Sequence, residues 1–220
     1  MTRQTGIAVF DLDHTLSRSD SFLWYLFGFL ARRPWRLIRC VHLPVVVLLF
    51  GAGWVNNAGL KESFLRAVLG GVRVEELSAW TQVFVDRFIR SQMRREGIAA
   101  VQAHRQAGDR LILLTASPDC YVKELGRRLG FDEVICTQIE WKDGRLSGKL
   151  ASSNMRGREK VEALQDIRVR LGPRRITAYA DHQSDLAMLR MVDHAYLVNG
   201  RRRIQACARR DSIQCVVWAD

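Results

Sequence analysis

The sequence is short of several things. Its five cysteines, Cys40, Cys120, Cys136, Cys207 and Cys215, include no C-x-x-C pair. A zinc site is therefore not expected. An odd cysteine count in a chain of 220 residues also argues against a disulfide framework. Buried free thiols in a reducing compartment are the expectation. No secretory leader is expected, because Met1-Thr2-Arg3 runs into only a few apolar residues before Asp11. Internal repeats, low-complexity tracts and long linkers are missing. Acidic residues are in deficit: 34 Lys+Arg stand against 23 Asp+Glu, a net charge of +11. That balance calls for an anionic partner, whether phosphate, nucleic acid or an anionic membrane surface. There is no aromatic-basic RNA motif or DNA-reading helix, so nucleic acid is not expected.

What is present is globular in composition, 48% hydrophobic and 26% charged. The length allows one core and a modest insertion. Residues 6–10 read as a short buried strand. An aromatic stretch follows, "SFLWYLFGFL" at 21–30, then a basic one, "ARRPWRLIR" at 31–39, then "CVHLPVVVLLFGAGWV" at 40–55. Residues 40–60 carry no formal charge apart from His42 when protonated. From 60 to 107 apolar residues recur at helical spacing (Phe64, Leu65, Val68, Leu69, then Val83, Phe84, Phe88).

From residue 110 strands and helices alternate. "RLILLTAS" is a predicted strand, and a helix runs from Pro118 to Gly130. A strand begins at Asp132, and a hairpin turns at Asp143-Gly144. A helix ends at Gly172. "RITAYAD" and "HAYLVNG" are predicted strands with "SDLAMLRMV" a helix between them. A helix at 202–210 and a strand at 213–218 close the chain. This alternation predicts an α/β fold: a parallel sheet with helices on both faces. Residues 17–90 then interrupt a core made of 1–16 and 91–220.

Ligands of an open parallel sheet bind beyond the carboxyl ends of its strands. The predicted strand ends deliver Asp11 and Asp13, then Thr115 and Ser117, then Asp181 with Asp185 close behind. Several carboxylates in one crevice need a cation between them, and oxygen ligands on a basic chain point to Mg²⁺. Each residue has a plainer reading. Asp11, Asp13 and Asp181 could be helix N-caps, and Asp185 could cap the helix that follows it. Ser117 is expected to cap the helix after Pro118 rather than touch substrate. Thr115 could be an ordinary strand-end hydroxyl, and Lys160 a solvated helix lysine with Arg158 and Lys149 as competitors.

In order along the chain, Asp11-Leu12-Asp13-His14-Thr15, the strand ending at Thr115, "NMRGREK" ending at Lys160, and "YADHQSDLAML" with Asp181 and Asp185 resemble the four motifs of the haloacid dehalogenase-like phosphatases, in their phosphoserine-phosphatase-like branch. The resemblance implies a Rossmann-like core with a helical cap inserted after the first strand. It implies Asp11 as the nucleophile that forms an aspartyl-phosphate, and Asp13 as general acid and base. Thr115, the backbone N–H groups near Asp13 and Ala116, and Lys160 would hold the phosphoryl oxygens. Mg²⁺ would lie on Asp11, the Asp13 carbonyl and Asp181, with Asp185 acting directly or through water. Two departures stand out. His14 occupies a position where many relatives have glycine, and Ala116-Ser117-Pro118 replaces a Gly-rich turn of the phosphoserine phosphatases.

Caps of this branch select substrate. A cap for an amino acid should offer an acid and an arginine, yet residues 21–30 contain no acid. The segment 41–55 is shorter than the roughly 20 residues a span requires. Spanning would also separate Asp11 from Thr115, Lys160 and Asp181. An interfacial cap is the expectation, with aromatic residues in acyl chains and Arg32, Arg33, Arg36 and Arg39 at anionic head groups. A cap packed on itself or in a dimer is the alternative. In character and position the cap resembles that of the bacterial phosphatidylglycerophosphatase C type. That implies an anionic phospholipid phosphomonoester as substrate, in the cytoplasm at the inner face of the cell membrane. A soluble small-metabolite phosphatase or phosphotransferase is the alternative.

Overall fold

β1 (Ile7–Phe10) is apolar throughout because both of its faces are covered. Ala8 and Phe10 join one apolar cluster, and Ile7 and Val9 join another on the opposite side. The same alternation holds in β2 (Arg110–Pro118), where Leu111 and Leu113 face one way and Ile112 and Leu114 the other. The computed structural model describes residues 5–219. With β3 (Glu133–Thr137), β6 (Ile176–Ala180), β7 (His194–Val198) and β8 (Gln214–Val216), these strands form a six-stranded sheet in the order β3-β2-β1-β6-β7-β8. Every pairing in it is parallel. α5 (Arg95–Gln106) and α6 (Asp119–Leu129) cover one face, through Val101, Tyr121, Val122 and Leu125. α7 (Arg158–Leu171), α8 (Leu186–Leu189) and α9 (Arg202–Arg210) cover the other, through Leu164, Ile167, Leu189 and Ala208. This is the expected α/β architecture. The expected helix over 184–192 is shorter: residues 183–185 form a tight turn and α8 occupies 186–189. The last strand is three residues long instead of six.

The strand order reverses at β1, which lies between β2 and β6. The chain leaves β1 toward β2 and later returns to β1's other side with β6. That reversal opens the crevice where open α/β sheets bind ligands.

Between β1 and α5 the chain forms α1 (Ser21–Arg32), a tight helical stretch at Pro34–Cys40, α2 (Leu43–Gly51), α3 (Asn57–Val68) and α4 (Val74–Gln92). The two ends of this segment lie together. Ser17 bridges Met93, Arg18 N–H donates to the Gln92 carbonyl at 2.8 Å, and Arg94 N–H donates to the Leu16 carbonyl at 2.8 Å. The segment has no core wholly of its own. Tyr25 of α1 stacks on Tyr121 of α6 with centroids 4.6 Å apart, and Phe84 of α4 meets both.

A hairpin of β4 (Ile139–Lys142) and β5 (Arg145–Leu150) turns at Asp143-Gly144, both with positive φ as a two-residue hairpin turn requires. It grips residues 71–74: Leu146 N–H donates to the Val72 carbonyl at 2.9 Å and Gly71 N–H to the Leu146 carbonyl at 2.8 Å. At Gly148 (φ +88°) an added Cβ would lie 2.6 Å from the Arg66 Cα, so hairpin and α3 touch backbone to backbone.

The arginines expected at head groups are largely committed within this segment. Arg33 pairs with Glu76 at 2.9 Å. Arg36 donates to the carbonyls of Val68 and Gly70, and Arg39 to those of Gly70 and Arg66. They satisfy carbonyls at and beyond the end of α3, which no helical N–H can reach. Arg32 lies over the Trp80 ring. The apolar side of the segment, by contrast, is uncovered: Trp54 is 83% exposed, Ile38 76% and Leu48 73%. Among the described residues no single helix is long and apolar enough to cross a membrane. Pro34–Cys40 and Leu43–Gly51 reach that length and composition only together, bent by 46°.

Candidate active site

β1 ends at Phe10, and the chain turns sharply through residues 11–17. His14 takes φ +60°, ψ −6°, a left-handed conformation uncommon for a residue with a side chain. Ser17 N–H and Oγ both donate to the Leu12 carbonyl, at 2.9 and 3.1 Å, and close the turn. Asp11 N–H stays in the sheet, donating to the Tyr179 carbonyl at 3.0 Å. Asp11 is thereby fixed at the sheet's edge, and Asp13 is carried over the crevice.

At the end of β2 the register against β3 jumps from Thr115 opposite Cys136 to Pro118 opposite Thr137. Ala116 and Ser117 bulge from the ladder, as extra residues do at strand ends near sites. The Ala116 carbonyl accepts from Thr137 Oγ1 at 2.7 Å, and Ser117 N–H donates to Thr115 Oγ1 at 3.2 Å. Gly157, at φ +61° and ψ −110°, starts α7, and the first turns of that helix bring Lys160 into the interior.

The side chains converge on a cavity of about 370 Å³, lined by Asp11, Asp13, Thr115, Ala116, Lys160, Asp181 and Asp185 together with residues of the helical segment. All the expected site residues are there. Lys160 Nζ donates to Asp11 Oδ1 and Asp185 Oδ2, each at 2.8 Å. Arg158 instead pairs with Glu162 on the surface, and Lys149 is exposed on β5 and absent from the cavity wall. Asp185 makes no side-chain cap; its other oxygen accepts from Ser184 Oγ at 3.1 Å. Thr15 Oγ1 stands between Asp11 Oδ2 (3.3 Å) and Asp181 Oδ1 (3.5 Å).

Ser117 does not cap α6. Pro118 takes the cap position without a side-chain bond, and Ser117 Oγ donates to Asp13 Oδ2 at 2.5 Å. Asp13 Oδ1 accepts from Ser21 N–H, the first residue of α1, at 2.6 Å. Ser21 Oγ hydrogen-bonds with Ser117 Oγ at 3.2 Å and with Tyr121 OH at 2.9 Å. The Asp13 carboxylate is thus held by one donor from the helical segment and one from the core.

Burial dominates the electrostatics. It pushes the Asp11 carboxyl up to about 6; Lys160 opposes the rise while Asp185 and Asp13 add to it. Burial pushes Asp181 up to about 7, reinforced by Asp11 and Asp185. Burial alone would lower the Lys160 ammonium, but its two carboxylates outweigh that and raise it above the ordinary lysine range. One ammonium therefore faces two buried carboxylates, Asp11 and Asp185, with the half-buried Asp181 beside them, a surplus of negative charge that a further cation would relieve. The donors are oxygens, which suits a hard divalent ion such as Mg²⁺. Asp181, which among the described side chains meets only the Thr15 hydroxyl at 3.5 Å, and Asp11 Oδ2, which shares that hydroxyl at 3.3 Å, are the oxygens with most room for it; both Asp185 oxygens have closer donors. Among the described residues no three acidic, histidine or cysteine side chains are yet drawn into one ligand sphere.

Two further cavity residues had little sequence signal. Lys61 of α3 reaches across to the core, its Nζ donating to the Ala116 carbonyl at 2.5 Å and to Asn154 Oδ1 at 2.6 Å. It is the first charged residue after the uncharged tract at 40–60, which was the only cue. Asp20 also lines the cavity, accepting from Leu23 N–H at 2.9 Å. An acid and a base from the helical segment therefore stand at the site, although residues 21–30 hold no acid.

A parallel sheet with its carboxylates at the switch point, an ammonium between them and a helical insert over the top defines a hydrolase of the haloacid dehalogenase type. Residues 8–190 match that family of haloacid dehalogenase-like hydrolases, and the chain belongs to it. It is 31% identical over 209 residues to protein CicA of Caulobacter vibrioides, covering 88% of this chain and 87% of that one. It is 28% identical over 210 residues to the phosphoserine phosphatase SerB1 of Mycobacterium tuberculosis, covering 93% and 68%. Among solved structures, a Bordetella pertussis protein of unknown function superposes with a TM-score of 0.82 at 25% identity, over 96% of this chain and 97% of that one. A phospho-aspartyl intermediate analogue of phosphoserine phosphatase superposes at 0.68 and 14% identity, over 97% and 94%, a likeness of fold.

Proposed function

We propose that this chain is a Mg²⁺-dependent phosphomonoesterase that works through an aspartyl-phosphate on Asp11. We further propose that its substrate is an anionic phospholipid phosphomonoester such as phosphatidylglycerol phosphate. The observation that carries the chemistry is the Asp11–Lys160–Asp185 arrangement beside Asp13 and Thr115 in one cavity. Asp11 Oδ1 is held by Lys160, so Oδ2 is the oxygen available to attack phosphorus. As the new bond to phosphorus forms, the ester P–O bond breaks and Asp13 gives its proton to the leaving alkoxide. Water then attacks the phosphorus of the acyl phosphate, Asp13 takes the water's proton, and inorganic phosphate leaves with the Asp11 carboxylate restored. Thr115, the Ala116 N–H and Lys160 hold the phosphoryl oxygens. Asp11, the Asp13 carbonyl and Asp181 would hold the Mg²⁺, with Asp185 behind them. The ion would supply the charge that lets an anionic nucleophile approach an anionic phosphate. Asp11→Asn should abolish phosphate release from every substrate; surviving turnover would remove the nucleophile assignment.

The lipid reading is supported by the uncovered apolar side of the insert. Val47 of α2 lines the cavity while its neighbour Leu48 is exposed, so the mouth of the site borders the apolar surface. Residues 17–90 act in this reading as a cap at the inner face of the cell membrane. A second reading, a soluble phosphatase for a phosphorylated amino acid, is favoured by Asp20 and Lys61 at the cavity and by the name of the SerB1 relative. Phosphate release from a phospholipid phosphomonoester in mixed micelles, beside phosphoserine, separates the two. A marked preference for phosphoserine would sink the lipid reading.

A further inference from the structure

Two cations line the cavity beyond those the phosphoryl transfer uses. Lys61 comes from α3 on the insert, and Arg156 from the loop before α7 on the core. Among the described residues neither forms an ion pair with a carboxylate. Lys61 Nζ is held by two neutral acceptors, the Ala116 carbonyl and Asn154 Oδ1. An ammonium has three N–H groups, so a third is left over. Thr137 Oγ1 donates to the same Ala116 carbonyl, accepts from Met155 N–H at 3.0 Å and lies 3.2 Å from Asn154 Oδ1, so the lysine's seat is braced. Arg156 Nη2 lies 3.2 and 3.3 Å from the two ring nitrogens of His182. An imidazole is neutral or cationic, so this neighbour brings no negative charge.

The two cations also feel each other. Burial pushes Lys61 down to about 8, with Arg156 adding to the fall and Asp13 and Asp20 opposing it. Those acids have other work: Asp13 is bonded by Ser21 N–H and Ser117 Oγ, and Asp20 by Leu23 N–H. Partly buried cations without a counter-ion are costly unless something anionic arrives to pair with them.

We propose that Lys61 and Arg156 form a second anion subsite, which takes a negatively charged substituent on the leaving group. The matching substrate is a phosphomonoester with a carboxylate or a phosphodiester a few bonds from the reacting phosphorus. This rests on the cavity being a phosphomonoesterase site, and it serves either substrate reading. Lys61 is anchored on both sides, so the subsite forms only with the insert seated on the core. A substrate that bridges Lys61 and Arg156 adds to that seating.

The test compares four probes: ethyl phosphate, with no second charge; phosphoglycolate, with a carboxylate; dihexanoyl phosphatidic acid, with tails but no second charge; and dihexanoyl phosphatidylglycerol phosphate, with tails and a phosphodiester. kcat/KM is measured for the wild type, Lys61→Gln and Arg156→Gln. Glutamine keeps a donor for the lysine's neutral acceptors while removing its charge. The wild type should prefer a charged probe over its uncharged counterpart by tenfold or more. Each variant should reduce that preference by about tenfold, the scale of a lost charge-assisted hydrogen bond. A gain confined to phosphoglycolate assigns the subsite to small acids, and one confined to the phosphodiester assigns it to lipids. Equal losses on all four probes, as a purely structural strap would give, overturn the proposal. So does a wild type indifferent to the second charge. If the wild type turns over none of the probes, the phosphomonoesterase reading falls. Calorimetric binding of the same four to the Asp11→Asn protein, with and without Lys61→Gln, then decides the subsite. Loss of affinity confined to the charged probes upholds it, and unchanged affinity overturns it.

Discussion

Lys160 lies at the centre of the site and is 2% exposed. Replacing it with methionine would leave Asp11 and Asp185 buried beside each other without their cation. Breaking a buried pair in this way costs about 3–5 kcal/mol. Urea unfolding of Lys160→Met should show a loss of that size, along with lost phosphate release. Ser117 offers a milder contrast. Ser117→Ala removes one of the two donors that orient Asp13, and should cost about 1–2 kcal/mol of transition-state stabilisation, read as roughly a tenfold fall in kcat. His14 tests the backbone. His14→Gly relieves the left-handed conformation but loosens the unfolded chain, so its melting temperature should move little. His14→Val should lose about 1–2 kcal/mol, because a β-branched residue fits φ +60° poorly.

At the scale of elements, the unexpected connection is between α3 and the β4–β5 hairpin. Gly148→Ala would drive a Cβ into the Arg66 backbone at a positive φ, and neither partner is the far end of a flexible side chain. A loss of about 2 kcal/mol is expected from overpacking and strain. Because α3 carries Lys61, the same change should also raise KM for phosphomonoesters. A thermal melt and a steady-state titration on one preparation would check both effects.

Most of the elements could be read from the sequence, because the signals were local. Asp143-Gly144 marks a hairpin turn, Gly130 and Gly172 end helices, and continuous apolar runs mark strands covered on both faces. Positions set by distant partners could not. Ser117 looked like a helix cap from its place before Pro118 and Asp119. Its actual partner, Asp13, is 104 residues away. The arginines at 33–39 looked free for head groups because nothing nearby in sequence marks Glu76 or the carbonyls of Arg66, Val68 and Gly70 as their partners. The four site motifs were visible because each sits at a strand end or in the first turn of a helix, where backbone direction alone aims the side chain.

At the scale of the whole molecule, basic charge and exposed apolar surface occur together, with the Arg33 guanidinium lying over the exposed Trp35 ring. A net charge of +11 accompanies an exposed face made of Trp35, Ile38, Val41, Leu48 and Trp54. Flotation with anionic vesicles should carry the protein upward. Ile38→Asp with Leu48→Asp should leave it at the bottom of the gradient without changing its melting temperature by more than a degree or two, since both side chains are exposed. Failure of the wild type to float would count against the interfacial cap. Metal removal is tested at the same scale. Chelation should abolish phosphate release, and Mg²⁺ should restore it and raise the melting temperature of the wild type but not of Asp181→Asn.

The side-by-side entry and exit of the insert at Ser17 and Met93 has a consequence for how the domain could be re-engineered. The chain could be closed over that gap with a very short linker and the core's topology would be unchanged. The cut would also uncover Tyr121, whose ring now lies against Tyr25 and Phe84. A replacement insert from a relative would therefore have to bring an aromatic partner for that ring. Exchange of such inserts would be limited by matching a buried surface rather than by joining the ends.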